Sequence, residues 1–233
     1  MLYWLFDERL QSWTAARVQG TFLTFEGIDG CGKTTQLRLL AAYLRRRRLP
    51  VVVTREPGGT PVGERIRAVV LGSSGRGMDP RAELLLLFAS RAQNVEQVIA
   101  PALAAGKVVL CDRFTDASLA YQGYGRGLSR RFIRELDRFA CRGLKPDLTF
   151  VLDINPRTSV RRALRRMRRA ATDEARFERE TRAFYERVRR GYRALARAEP
   201  RRVRLVEGEA SVENIHRRIV VLARKHLGLE ARR

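Results

Sequence analysis

The chain has 233 residues, 45% of them hydrophobic, which suits one large domain with a core and excludes a disordered chain. Lysine and arginine number 47 against 25 aspartates and glutamates, for a formal net charge of +22. A charge of this sign attracts phosphates, nucleotides and nucleic acids alike, so the charge by itself identifies no partner.

The three cysteines, Cys31, Cys111 and Cys141, show neither the number nor the spacing of a disulfide framework or a zinc site. No apolar run approaches the ~18–20 residues that span a bilayer, so we expect no membrane partner. Asp7 and Glu8 stand too early for a signal peptide. We therefore expect a cytoplasmic protein in a reducing compartment.

Residues 1–19 look separate from the rest of the chain. Their apolar side chains stand near helical spacing, at Leu2, Leu5, Phe6, Leu10 and Trp13. The segment is either an amphipathic helix that docks on the body or an artefact of the chosen start site. We treat it as an N-terminal extension of unknown role.

From Gly20 onward, short apolar strands alternate with helices. We predict strands at 21–26, 50–56, 107–113, 148–154 and 202–208. We predict helices at 33–48, about 61–71, from Pro80, about 129–142, from Pro156, about 175–198 and 211–227. Apolar strands that are each followed by a helix are typical of a parallel sheet covered on both faces. The pattern predicts one α/β domain over residues 20–228, in three layers, with a five-stranded parallel sheet and helices on both faces.

Residues 27–34 match the phosphate-loop pattern G-x-x-x-x-G-K-[ST] at every fixed position, between a strand and a helix. This is the order that a P-loop NTPase fold requires. Glycines let the backbone curl so that N–H groups point inward, and the helix N-terminus adds partial positive charge. The motif predicts that Lys33 bridges the β- and γ-phosphates of ATP and that Thr34 ligates Mg²⁺. The predicted ATP-phosphate set is Gly27, Gly30, Cys31, Gly32, Lys33, Thr34 and Thr35.

Two side chains inside this loop have alternative interpretations. Asp29 is a carboxylate near bound phosphates, so it needs a cation or a hydroxyl; we place it on the acceptor side, against the alternative of an exposed loop residue. Cys31, close to a helix N-terminus, is either a small residue that the tight loop tolerates or a thiol with a lowered pKa.

Polar segments also come after the second and third strands: 54–60 (TREPGGT), 112–114 (DRF) and 120–127 (AYQGYGRG). In an open parallel sheet, residues just past the carboxyl ends of the strands converge on one crevice. We therefore expect Asp29, Arg55, Asp112 and Arg113 to share a site. Asp112 joins Thr34 as the second candidate ligand of Mg²⁺.

Over residues 20–228 the chain resembles the bacterial thymidylate kinases, a family of P-loop nucleoside monophosphate kinases. The matching stretches are FEGIDGCGKTTQ, TREPGGT, ERIR, FASRAQ, DRF, SLAYQGYGRG, KPDLTFVLD and RFERE. Their order and spacing together are specific to the family. The resemblance implies ATP-dependent phosphorylation of dTMP to dTDP by a homodimer.

The resemblance also implies roles on the acceptor side. Arg91 hydrogen-bonds the thymine edge, and Phe88 stacks on the ring. Tyr121 lies against the sugar where a 2′-hydroxyl would be, and Asp29 lies near the 3′-hydroxyl. The implied dTMP-binding set is Arg55, Glu56, Arg67, Phe88, Arg91, Arg113, Ser118, Tyr121 and Gln122, in which Arg67 and Arg113 hold the acceptor phosphate and Ser118 and Gln122 meet the base.

The aromatic residue of this set is open to a second interpretation. Many family members place it four residues before the arginine, where Leu87 stands here, whereas Phe88 stands three before Arg91. Either side chain could cover the base. Phe88 also lies on the apolar face of its helix, where core packing would be reason enough for it.

Arginines crowd the segment after Pro156, at 161, 162, 165, 166, 168 and 169. Like charges this dense repel one another, and a polyphosphate bound beneath them would remove that repulsion. The segment, about 157–178, resembles the Arg-rich lid of nucleoside monophosphate kinases, and a solvated face is the alternative. We expect the catalytic lid residue to be Arg165, Arg166 or Arg169. Ala175 departs from the family pattern, in which Asp is usual.

Catalysis would then rest on Lys33, Asp29, Arg113 and a lid arginine, with no strong general base. Two alternatives stay open at this point. The acceptor could be another nucleoside monophosphate or a small hydroxyl compound. The chain could also be a P-loop ATPase that nucleic acid stimulates through the basic surface, although we expect nucleic acid to bind only nonspecifically, if it binds.

Overall fold

A five-stranded parallel sheet lies at the centre of the computed structural model, which describes residues 20–72, 75, 77–159, 161–162 and 180–229. The strands are β1 (Thr21–Glu26), β2 (Val51–Arg55), β3 (Val108–Asp112), β4 (Leu148–Asp153) and β5 (Val203–Glu207). They lie in the order β2-β3-β1-β4-β5, and every pairing is parallel. This confirms the predicted α/β fold.

Helices come after the strands as the sequence predicts, with differences at the ends. The helices are α1 (Lys33–Arg46), α2 (Pro61–Leu71), α3 (Pro80–Asn94), α4 (Ala100–Ala104), α5 (Thr115–Ser118), α6 (Arg130–Cys141), α7 (Arg182–Ala198) and α8 (Val212–His226). Two π-helical turns, Val95–Ile99 and Leu119–Gly125, continue α3 and α5. The second lies in the Gly-rich stretch 120–127, for which the sequence predicts no helix.

The alternation of side chains along the strands divides the core between the two faces of the sheet. Leu23 and Leu110 belong to one buried cluster, whereas their neighbours Phe22 and Val109 belong to the other. The three central strands, β3, β1 and β4, are thus buried on both sides, which is why they read as continuous apolar runs, whereas the outer strands β2 and β5 are partly exposed. Among the described helices, none is both long and apolar enough to cross a bilayer.

The pairing of β1 with β3 places the ends of these strands side by side, with Phe25 opposite Asp112. One hydrogen bond beyond the sheet extends this contact to the end of β2, because the N–H of Glu56 donates to the carbonyl of Asp112 at 2.9 Å. The segments after the first three strands therefore meet at one edge.

Two predicted parts of the chain lie outside the described residues. They are the N-terminal extension, residues 1–19, and most of the lid, including Arg165, Arg166 and Arg169. Within the predicted lid, the structure describes residues 157–159 and 161–162, and Arg161 and Arg162 are helical and exposed.

Candidate active site

The phosphate loop joins β1 to α1 through three glycines with positive φ: Gly27 (133°), Gly30 (75°) and Gly32 (97°). These angles are natural for glycine and strained for other residues. At Gly27 a Cβ atom would also lie 2.6 Å from the carbonyl oxygen of Leu152, so a side chain there would collide with β4. The glycines of the motif are therefore required by the backbone path itself.

Lys33 is the first residue of α1, and its side chain is nearly buried. Its ammonium donates to the carbonyl oxygens of Gly27 (3.1 Å) and Ile28 (3.2 Å) and lies 3.7 Å from the sulfur of Cys31. Burial raises the pKa of the Cys31 thiol. This is the opposite of the reactive-thiol alternative, so Cys31 is a small neutral residue inside the loop.

Thr34 and Thr35 lie on the exposed first turn of α1. The Thr34 hydroxyl donates to a carboxylate oxygen of Asp112, at the end of β3, at 2.7 Å. A hydroxyl and a carboxylate are oxygen ligands of the kind that Mg²⁺ takes, and Mg²⁺ often completes its shell with substrate phosphates and water. In the described part of the chain, no group of three His, Cys, Asp or Glu side chains could hold a metal by itself. The pair fits a metal that is shared with a nucleotide.

Asp29, in the middle of the phosphate loop, pairs with Arg113 just after β3. The Arg113 guanidinium donates to one carboxylate oxygen at 2.5 Å, and the hydroxyl of Tyr121 donates to the other at 3.0 Å. Arg113 also donates to the Tyr121 oxygen at 3.1 Å and lies 4.7 Å from the centre of its ring. Asp29 and two residues more than 80 positions later in the chain thus form one mutually bonded group.

The backbone of Arg113 is in the left-handed region, with φ of 73°. A non-glycine residue there costs roughly 1–3 kcal/mol, and such strain tends to occur at functional sites. The N–H of Arg113 donates to the carbonyl of Phe25 at 3.0 Å, and its guanidinium donates to the carbonyl of Gly27 at 3.2 Å. The conformation aims the side chain at the phosphate loop.

Three further residues join this group that the sequence-based prediction missed. Tyr185, on α7, donates its hydroxyl to Asp29 at 3.2 Å. Tyr192, one more heptad along α7, donates to Glu26 at 2.7 Å. A charged residue at the end of an apolar strand was the signal for Glu26. The two tyrosines look like ordinary core residues of an amphipathic helix.

A second buried group forms around Arg91 of α3. Its Nε donates to Glu56 at 2.5 Å, and its Nη2 donates to the carbonyl of Phe114 (3.2 Å) and to the hydroxyl of Ser118 (3.1 Å). Its Nη1 is buried and has no partner among the described residues. The guanidinium lies 4.5 Å from the centre of the Phe88 ring.

The Glu56–Arg91 pair is ionic although both side chains are only 3% exposed. Burial raises the pKa of Glu56, and the guanidinium of Arg91 opposes that rise. Burial by itself would lower the pKa of Arg91, but the nearby carboxylate of Glu56 raises it above its usual value. At 2.5 Å each charge stabilises the other, and this attraction opposes the desolvation of both groups.

The remaining predicted acceptor residues have partners within the protein. Arg55 pairs with Glu64 at 2.7 Å, and the Arg67 guanidinium donates to the carbonyl of Pro57 at 3.0 Å. The amide of Gln122 donates to the buried carboxylate of Glu83 at 2.7 Å. Their roles toward a ligand stay predictions.

Phe88 and Leu87 are both largely buried, at 4% and 9% exposed. Phe88 belongs to the main core cluster as well as contacting Arg91. Core packing therefore accounts for the position of Phe88, and the contact of Phe88 or Leu87 with a base stays a prediction.

A phosphate loop on β1 and α1, an aspartate at the end of β3 and a parallel sheet of this order define a P-loop phosphotransferase. The thymidylate kinase family model matches residues 25–219. The chain belongs to the thymidylate kinase family and is an enzyme of this type.

The relatives agree with this assignment. The thymidylate kinase of Geotalea uraniireducens (strain Rf4) is 50% identical over 88% of this chain and 98% of its own length. That of Geobacter sulfurreducens is 51% identical over 83% of this chain and 92% of its own length. The crystal structure of thymidylate kinase from Ehrlichia chaffeensis has a TM-score of 0.72 at 33% identity, over 88% of this chain and 98% of that one.

Glu56→Gln should lower the free energy of unfolding by about 3–5 kcal/mol, because it leaves the buried charge of Arg91 without its counterion. Denaturation in urea measures the loss. The control is Glu135→Gln, which breaks the exposed Arg131–Glu135 pair on α6 and should cost about 0.5 kcal/mol or less. Equal losses in the two variants would contradict an ionic Glu56–Arg91 pair.

Proposed function

We propose that this protein transfers the γ-phosphoryl group of ATP to dTMP and releases ADP and dTDP. One observation carries the proposal. A phosphate loop lies beside two buried groups that are centred on Arg113 and Arg91, at the edge of the sheet where neighbouring strands end. Membership in the thymidylate kinase family supports the same acceptor and favours it over a nucleic-acid-stimulated ATPase. Residues 20–228 form the kinase domain in this proposal, and residues about 157–178 form its lid.

On the donor side, the inward N–H groups of the phosphate loop and the ammonium of Lys33 bind the β- and γ-phosphates of ATP. Thr34 and Asp112 hold Mg²⁺, which supplies positive charge at the phosphate oxygens when it is bound. The hydrogen bond between these two side chains supports their joint role, since it holds both oxygens at the start of α1.

On the acceptor side, Arg113 binds the phosphate of dTMP, and Asp29 accepts a hydrogen bond from the 3′-hydroxyl. Tyr121, bonded to both residues, lies against the sugar and disfavours a 2′-hydroxyl. Arg91 offers its unpartnered buried Nη1 donor to a carbonyl of thymine. A buried donor without an acceptor is costly, which gives the site a preference for a base that carries one.

The chemistry needs alignment and charge rather than a base. A phosphomonoester has its second pKa at about 6, so the acceptor oxygen is already largely deprotonated at neutral pH. Arg113 and Lys33 orient the two phosphates, and a lid arginine would stabilise the charge of the loose transition state, an effect worth about 10³–10⁵ in rate.

The assembly in this proposal is a cytoplasmic homodimer that forms through the layer of α2, α3 and α6. Each of these helices carries large apolar side chains that are 44–86% exposed: Val62, Val69, Leu85, Phe132 and Phe139. Val62 and Val69 are seven residues apart on α2, and Phe132 and Phe139 are seven residues apart on α6, so each pair lies on one helix face. Apolar side chains gathered on adjacent helices favour a protein–protein interface.

Phosphate transfer should be specific for dTMP. An ADP-release assay with dTMP, dUMP, UMP, CMP, AMP and GMP, and with DNA and RNA, measures the preference. We expect turnover with dTMP to exceed that with each ribonucleotide and no stimulation by nucleic acid. Lys33→Ala should lower kcat by about 100-fold or more. Lys225→Ala, on the exposed end of α8, is the control and should match the wild type; ATP hydrolysis that responds only to nucleic acid would refute the proposal.

Magnesium should act through the Thr34 hydroxyl. Chelation of divalent cations should stop the transfer, and added Mg²⁺ should restore it. Thr34→Val keeps the shape but loses the oxygen ligand, so the Mg²⁺ concentration for half activity should rise by about tenfold or more. Thr34→Ser keeps the hydroxyl and should stay close to the wild type. A Val variant with normal Mg²⁺ dependence would rule out Thr34 as a ligand.

The wild type should sediment as a dimer, and Phe139→Glu should sediment as a monomer, because a charge would be buried at the centre of the interface. Val221→Glu is the control, since Val221 is 63% exposed on α8 and lies off the proposed interface. Sedimentation velocity at several concentrations measures both. A monomeric wild type would contradict the homodimer. A dimeric Phe139→Glu variant would show that the interface does not include Phe139.

A further inference from the structure

Glu26 is the last residue of β1 and stands directly before the phosphate loop. It is fully buried. One carboxylate oxygen accepts a hydrogen bond from the backbone N–H of Phe114 at 2.7 Å, and the other accepts one from the hydroxyl of Tyr192 at 2.7 Å. A single side chain thus joins β1, the turn after β3 and helix α7.

The bond to Phe114 controls the residue before it. The two peptide groups that flank Arg113 determine its φ and ψ. The N–H on one side donates to the carbonyl of Phe25, and the N–H on the other donates to Glu26. Both anchors lie on β1, so β1 holds the left-handed conformation of Arg113 from both ends.

The bond to Tyr192 adds support at the far end of the same side chain. The Tyr192 hydroxyl lies 3.5 Å from Nη1 of Arg113, and the Tyr192 ring packs edge-on against the ring of Tyr121. Besides its hydrogen bond to Tyr121, Arg113 donates to Gly27 and Asp29, on the phosphate loop that Glu26 precedes. Backbone and guanidinium are therefore located against one short stretch, residues 25–29.

We propose that Glu26 is a positioning residue for acceptor binding: its carboxylate holds the turn at Arg113 so that the guanidinium presents to the acceptor phosphate. This inference rests on the proposed role of Arg113 in binding dTMP. Glu26 touches no substrate in this scheme. It acts through Arg113, and Tyr192 acts through Glu26.

The burial of Glu26 argues against a role in stability alone. Burial raises the pKa of its carboxyl to about 7, with Asp116 raising it further and Arg113 and the hydrogen bond from Tyr192 opposing the rise. The folded state therefore favours the protonated form more than the unfolded state does. The stability that this preference contributes is lost as the pH rises toward 7 and the carboxyl ionises. The charge of the carboxylate therefore adds no stability at neutral pH, and its two hydrogen bonds are better explained by what they orient.

The test compares three variants at pH 8 by steady-state kinetics and by calorimetry of dTMP binding without ATP. Glu26→Met removes both hydrogen bonds and should raise the KM and the Kd for dTMP by about tenfold or more. Glu26→Gln can accept from Phe114 and donate to the Tyr192 oxygen, so it should stay within about threefold of the wild type. The KM for ATP should change by less than about threefold in both.

Thr24→Val is the matched control, two residues earlier on β1. It removes the buried hydrogen bond between the Thr24 and Thr149 hydroxyls (2.8 Å) and should lower the melting temperature without changing the KM for dTMP. If Glu26→Met and Thr24→Val shift this KM equally, or if neither shifts it, the positioning role is overturned. If Glu26→Gln is as impaired as Glu26→Met, the hydrogen bonds are not what positions Arg113.

A second readout is the pH dependence of stability. Because the folded-state pKa of Glu26 is raised, the wild type should lose stability relative to Glu26→Gln as the pH rises from about 5 to about 8. If the difference in melting temperature between the wild type and Glu26→Gln does not change with pH, the raised pKa of the buried Glu26 carboxyl is refuted. A wild type that neither binds nor phosphorylates dTMP would refute the proposed function instead, so the two failures are separable.

Discussion

The parallel pairing of β1 with β3 is the constraint on which the rest of the site depends. It sets Phe25 beside Asp112, so that the phosphate loop leaves the sheet next to the turn that carries Arg113. Hydrogen bonds continue past the strand ends, from the N–H of Arg113 to Phe25 and from the N–H of Glu56 to Asp112. They keep the segments that follow β2 and β3 at the same edge of the sheet as the phosphate loop. A shift of one residue in this register would move Phe25 to the opposite face of the sheet and separate Thr34 from Asp112.

Two ion pairs are buried where the strand ends meet. Arg91 and Glu56 are each 3% exposed, and Arg113 and Asp29 are each 18% exposed. Desolvation makes an isolated charge in such places very unfavourable, and each pair offsets it by a short ionic hydrogen bond. The pairs stabilise the fold little compared with apolar packing of the same volume. Their value is orientation, since paired guanidinium groups have few directions left in which to point.

The local features of the site were predictable from the sequence, and the cross-strand features were not. The phosphate loop is contiguous, so the glycines, Lys33 and Thr34 carry their own geometry. The π-helical turn at Leu119–Gly125 was missed because glycines at 123 and 125 read as loop, whereas contacts with α7 hold the turn helical. Tyr185 donates a hydrogen bond to Asp29, which lies 156 residues earlier in the sequence, and no local pattern encodes such a contact.

The sequence by itself determined the position of the phosphate-loop motif, the alternation of strands and helices, and the family. These properties depend on short-range spacing and on the hydrophobic period, which a single chain displays directly. Only the tertiary structure decided which side chains face one another: Glu26 with Phe114 and Tyr192, and Glu56 with Arg91. The physical reason is that a buried polar group is satisfied by whichever partner the sheet order and helix packing bring within about 3 Å, at any distance along the chain.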